Sequence, residues 1–127
     1  MMAVDTSALM AILLREPDAE RCKAALAAEA ELVISAGTVA EALIVAARRK
    51  VGEEMNRMID GLGFDVLPVT AAGARRIAGA HARWGRDAHP AGLNFGDCFA
   101  YEIAAEHACP LLYVGDDFAK TDLKSTL

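Results

Sequence analysis

Glu31-Leu32-Val33-Ile34-Ser35-Ala36, stopped by Gly37, is the stretch whose reading decides the fold. Its apolar run is continuous rather than alternating, which predicts a strand buried on both faces, and such strands belong to parallel sheets. Helical patterns flank it. Upstream, Pro17 suits a first helical position and opens an alanine-rich helix to Glu29; downstream, Thr38 to Lys50 reads as a helix that is apolar nearly all round. The same alternation continues outward. Met1 to Asp5 reads as a short buried strand, followed by a helix from Ser7 to Arg15 with Leu9, Ile12 and Leu13 at helical spacing. Val51-Gly52-Glu53-Glu54 opens a further helix whose inner face is Met55, Met58, Ile59 and Leu62. Phe64 to Val69 is a third strand, with Pro68 marking an edge or an end. A helix from Ala71 to about Trp84, a loop from Gly85 to Asn94, a helix from Phe95 to His107 and a strand from Leu111 to Val114 complete the order. The alternation predicts an α/β fold, a parallel sheet with right-handed crossovers and helices on both faces.

With 127 residues, 54% of them hydrophobic and 24% charged, the chain has enough apolar surface for one domain, 1–127, and no repeat or linker divides it. The formal charge is −5. That balance excludes a protein that coats nucleic acid non-specifically, since such binding rests on Lys and Arg neutralising phosphates. No basic leader precedes Val4, and Ala8 to Leu14 is too short to span a bilayer, so a soluble, cytoplasmic protein is expected. Cys22, Cys98 and Cys109 form no CxxC and sit in apolar surroundings, as small fillers do. His81, His89 and His107 supply no zinc spacing with them.

In an open parallel sheet, ligands bind at the carboxyl ends of the strands. Asp5 closes the first strand, Glu41 lies one turn into the helix after the second, Asp97 opens the helix before the last strand, and Asp116 and Asp117 follow that strand. Glu41 is the only charge between Thr38 and Ala47, and Asp97 has Phe95, Cys98, Phe99 and Tyr101 around it. Carboxylates gathered in apolar surroundings repel one another and hold protons unless a cation compensates. Oxygen donors with no sulfur or imidazole point to Mg2+ or Mn2+. Helix capping is the competing explanation. Thr38-x-x-Glu41 and Asn94-x-x-Asp97 both read as capping boxes, Asp5 or Ser7 suits the first helix start, and Asp116 or Asp117 the final turn.

Asp5-Thr6-Ser7 after a short strand, Glu41 behind Thr38, Leu93-Asn94-Phe95-Gly96-Asp97-Cys98, and Val114-Gly115-Asp116-Asp117-Phe118 with Thr121-Asp122 together resemble the PIN-domain ribonucleases, and most nearly the VapC toxins of bacterial toxin–antitoxin pairs. The resemblance spans nearly the whole chain. It implies a three-layer α/β/α sandwich around a mostly parallel sheet, and Mg2+-dependent hydrolysis of RNA phosphodiesters by a cluster of acids. Carried over by motif, Asp5, Glu41 and Asp97 match the strongest catalytic and metal positions. Asp116 is favoured as the fourth over its neighbour Asp117, being nearer the strand end; Ser7 and Asn94 match the polar residues around the acids. A structured RNA such as tRNA or rRNA is the implied substrate, with a VapB-like antitoxin and a homodimer as implied partners.

Without the four strand-end acids the remaining charge is close to neutral, so basic patches have room to form. Arg75, Arg76, Arg83 and Arg86, with His81 and His89, are RNA-binding candidates; Arg48, Arg49, Lys50 and Arg57 form a second group. Met55, Met58 and the alanine-rich helices suit an apolar groove for an antitoxin helix, or the core. Two rivals remain, a catalytically silent PIN-like module acting through a protein partner and a phosphotransfer domain. The second lacks an acceptor Asp at a strand end in mid-chain, since Asp60 falls in a helix and Asp65 at a strand start.

Overall fold

The computed structural model describes residues 1–127. Four strands, β1 (Met2–Val4), β2 (Leu32–Ser35), β3 (Asp65–Leu67) and β4 (Leu111–Leu112), form one sheet in the order β3-β2-β1-β4, every pair parallel. The chain moves outward from β1 through β2 to β3, then returns to place β4 on the other side of β1. The topological switch therefore lies between β1 and β4, where an open α/β sheet leaves a crevice.

Alternation along each strand divides the core in two. Met2, Val4, Leu32, Ile34 and Leu112 face α1 (Thr6–Leu13), α2 (Ala19–Ala28), α3 (Ala36–Arg48) and α4 (Gly52–Leu62). Ala3, Val33 and Leu111 face α5 (Ala71–Trp84) and α6 (Phe95–Glu106). The result is the expected three-layer α/β/α sandwich. Cys22 fills one core layer and Cys98 the other, both as free thiols, while Cys109 is half-buried. Trp84 is core, stacked edge-on by His89. No helix is long and apolar enough to cross a membrane.

Local boundaries differ from the sequence reading where a side chain takes over a helix start. Pro17 lies in the turn before α2, which begins at Ala19 behind Asp18. Ser35 caps α3 by accepting the Gly37 amide at 3.1 Å, so Ala36 leaves the strand and, with Gly37, enters the helix. Thr38 is consequently no cap: it is fully buried and its hydroxyl has no partner. β3 is an edge strand, as Pro68 predicts, and stops at Leu67. Met55 is wholly buried in the core. Met58 lines a cavity of about 360 Å³ with Ile12, Leu26, Ala27, Leu32 and Leu62, between α1, α2 and α4.

Candidate active site

Asp5 leaves β1 and caps α1. One oxygen, Oδ2, accepts both the Ser7 amide at 3.0 Å and the Ser7 hydroxyl at 2.6 Å. The Ser7 hydroxyl in turn accepts the Val114 amide at 3.0 Å, tying the exit of β4 to the start of α1 across the switch point. The second oxygen, Oδ1, is buried without a partner. Burial drives the Asp5 carboxyl up to about 7; the Ser7 hydrogen bonds oppose this, and the charges of Asp97 and Glu41 add to it.

Glu41 approaches from α3, where its Oε1 accepts the Thr6 hydroxyl at 2.7 Å. Asp97 approaches from α6 through a true capping box: Asn94 Oδ1 accepts the Asp97 amide at 2.8 Å, and Asp97 Oδ2 accepts the Asn94 amide at 3.0 Å. Burial raises Asp97 to about 6, against the Asn94 amide and with the charges of Asp117 and Glu41 adding. Asp116 and Asp117 are both exposed beyond Gly115, whose φ of +109° turns the chain. Of the two, Asp117 is the one whose charge acts on Asp97.

Two glycines allow α3 and α6 to come this close. A Cβ on Gly37 would overlap the Phe99 ring, and a Cβ on Gly96 would overlap the Glu41 carboxylate. Neither glycine was singled out for this role by sequence, nor was Thr6. The available signal is the cost of glycine in the first turns of two apolar helices, which asks for a compensating close approach.

The acids share one sheet edge, yet no three Asp, Glu, His or Cys side chains form a group that holds a metal ion between them. The donor set nonetheless suits Mg2+. That ion is commonly held by one or two carboxylates, with water and substrate phosphate completing its shell, and Asp5 Oδ1 is a hard oxygen with nothing else to bind.

The basic candidates separate into two kinds. Arg76 pairs with the buried Glu102 at 3.1 Å and with Glu106 at 3.3 Å, joining α5 to α6. Arg83 lies 4.4 Å over the Trp84 ring and 3.8 Å from Asp122, whose other oxygen accepts the Tyr101 hydroxyl at 2.7 Å. Both brace the fold. Arg75 and Arg86 are exposed and in no ion pair, as are Arg48, Arg49 and Lys50 at the end of α3; Arg57 pairs with Glu53 and Glu54.

Residues 2–124 match the family profile described as PIN domain. Ribonuclease VapC30 of Mycobacterium tuberculosis is 40% identical over 125 residues, covering 96% of this chain and 95% of that protein. Ribonuclease VapC36 of the same organism is 42% identical over 127 residues, covering 97% and 91%. Among solved structures, M. tuberculosis VapC20, described as a sarcin-ricin loop cleaving toxin, aligns with a TM-score of 0.78 at 15% identity over 97% of this chain and 96% of that one. A toxin–antitoxin complex from Klebsiella pneumoniae aligns with a TM-score of 0.69 at 20% identity over 96% and 93%. With the fold, the order of the acids and these full-length matches in agreement, the chain belongs to the PIN-domain family, as a protein of the VapC type.

Proposed function

We propose that this chain is a divalent-metal-dependent endoribonuclease, the toxin of a type II toxin–antitoxin pair, cutting a structured RNA such as tRNA or an rRNA loop in the cytoplasm. The observation that carries the reading is the buried, unpartnered Oδ1 of Asp5, in a carboxyl on which the charges of Asp97 and Glu41 also act, at the switch point of the sheet. Asp5 and Asp97 would hold Mg2+ or Mn2+, with Glu41 and one acid after β4 completing the site. Asp117 is the better candidate for that last position, because its charge acts on Asp97. A bound ion supplies Lewis-acid activation of water and neutralises charge building on the phosphoryl oxygens. The protein supplies the placement. Ser7 and the α1 amide hold Asp5, the Asn94 box holds Asp97, and the Thr6 hydroxyl holds Glu41, so each carboxylate is oriented before substrate arrives.

Arg75 and Arg86 on one side, and Arg48 to Lys50 on the other, are free to meet RNA phosphates. The apolar cavity between α1, α2 and α4 suits the helix of a VapB-like antitoxin, consistent with the toxin–antitoxin complexes that share the fold. A homodimer completes the proposed assembly. The deciding experiment incubates the antitoxin-free protein with total RNA in Mg2+ or EDTA and maps the cut sites. Cleavage in Mg2+, abolished by EDTA and reduced about 100- to 1000-fold by Asp97→Asn, is expected. Cleavage that survives EDTA would reject the metal requirement. No cleavage at all would leave a silent module acting through its partner.

A further inference from the structure

Phe95 begins the helix that carries Asp97, yet its side chain is 71% exposed. A phenylalanine left in water two residues from a candidate catalytic acid forgoes a large burial gain. It also stands as the wall between two hollows. Toward α3 lies a groove of about 330 Å³ whose lining includes Glu41, Ile44, Arg48, Gly96 and Phe99. Toward α5 lies a second, lined by Ala74, Ile77, His81 and Cys98. The Phe95 ring meets Phe99 edge to face, with centroids 4.9 Å apart and planes at 81°.

The charges along the α3 groove run in the order a nucleotide requires. Glu41 marks the end at the acid cluster, and Arg48, exposed and in no ion pair, lies on the same face of α3 seven residues on, about 10 Å along the axis. Between them are Ile44, 54% exposed, and the Phe95 ring. A carboxylate end suited to a metal-bound phosphate, an apolar floor with an aromatic face, and a lone guanidinium match the phosphate–base–phosphate order of a single strand. We propose that this groove is a nucleobase subsite, in which an RNA base flanking the cut bond stacks on Phe95 while Arg48 holds the neighbouring phosphate. The proposal rests on the RNA-cutting reading of the acids and adds the element that orients the strand. Stacking is tolerant of sequence, so Phe95 sets the requirement for an unpaired base beside the cut rather than for a particular base.

The test measures binding in EDTA, where cutting is suppressed, using labelled hexauridylate and hexaadenylate and the same oligomers carrying abasic residues. Phe95→Ala should weaken binding of the intact oligomers about 5- to 150-fold, whereas Phe95→Trp should bind close to wild type. Arg48→Ala should weaken intact and abasic oligomers alike. Abasic oligomers should bind the wild-type protein as weakly as intact oligomers bind Phe95→Ala, a contrast that needs no variant to fold. Equal wild-type affinity for intact and abasic strands overturns the subsite, as does wild-type protein that binds neither. A third outcome also overturns it: if Phe95→Ala converts a dimer to monomers at unchanged RNA affinity, the face belongs to a second copy of the chain. Cleavage in Mg2+ is scored separately on the wild-type protein, so a failed ribonuclease reading and a failed stacking subsite give different results.

Discussion

Neutralising Asp5 by Asp5→Asn should stabilise the metal-free protein above neutral pH while abolishing its chemistry. The folded carboxyl is raised from the ordinary 3.8 to about 7, chiefly by burial. The unfolded chain therefore releases this proton near pH 4 and the folded chain only near pH 7, so across that window the folded state holds the extra proton. Each rise in pH then favours unfolding, and the penalty is complete above about pH 7. A gap of roughly three pKa units at about 1.4 kcal/mol each sets an upper bound of about 4 kcal/mol. Part of that penalty is already present at pH 5 and local relaxation reduces the rest, so a loss of about 1–2.5 kcal/mol between pH 5 and pH 8 is expected. Asn keeps the cap, because its carbonyl oxygen accepts the Ser7 amide and hydroxyl as Oδ2 does. Its amide group replaces Oδ1, the oxygen that has no partner.

Urea unfolding followed by far-ultraviolet circular dichroism, in EDTA at both pH values, reads the effect. Wild type should lose stability from pH 5 to pH 8, and Asp5→Asn should lose markedly less. Adding Mg2+ at pH 8 should restore the wild type and leave the variant unchanged, since an ion that binds only the folded state stabilises it by mass action. Wild-type protein equally stable at the two pH values would refute the reasoning, as would a variant that keeps the full pH slope.

Gly96→Ala places a Cβ against the Glu41 carboxylate; displacing that side chain should lower the cleavage rate about 100-fold, seen in initial rates at saturating Mg2+. Arg76→Ala leaves the Glu102 carboxyl, with 3% of its side chain exposed, without its guanidinium. It should cost about 3 kcal/mol in urea unfolding with RNA affinity per folded molecule unchanged. Arg75→Ala should do the reverse, keeping the melting temperature while reducing the salt slope of RNA binding by about one.

The layered fold was legible because its signals are local. ELVISA is a continuous apolar run, and a strand with no polar face predicts a parallel sheet without any knowledge of its neighbours. Helix starts were less legible because they turn on competition between adjacent polar groups. Thr38 reads as the cap and Ser35 as part of the strand; in the structure Ser35 takes the capping role, and Thr38 is drawn into the core with its hydroxyl unpaired. The order of the acids along the chain identified the sheet edge. It left Asp116 and Asp117 as neighbours past the turn at Gly115, and no local pattern encodes that the charge of Asp117 is the one that acts on Asp97. The basic cluster misled in a similar way: Arg75 and Arg76 are neighbours in sequence, but on a helix they face different directions, and only Arg76 reaches Glu102.

Capping and ligation, which read as alternatives in the sequence, are compatible on two of the acids. Asp5 and Asp97 each use Oδ2 to accept backbone amides at a helix start and leave Oδ1 free of any protein partner. A cap fixes the rotamer of the carboxylate, so the free oxygen is aimed by the backbone itself, and the orientation is set as the sheet and helices form. Glu41 has no such anchor. Its position depends on the Thr6 hydroxyl and on the space that Gly96 leaves, two contacts made by tertiary packing rather than by its own helix. The site therefore combines two acids whose geometry is inherited from secondary structure with one that is set only when α3 and α6 close on each other. Disturbing that helix contact should displace Glu41 while leaving Asp5 and Asp97 in place.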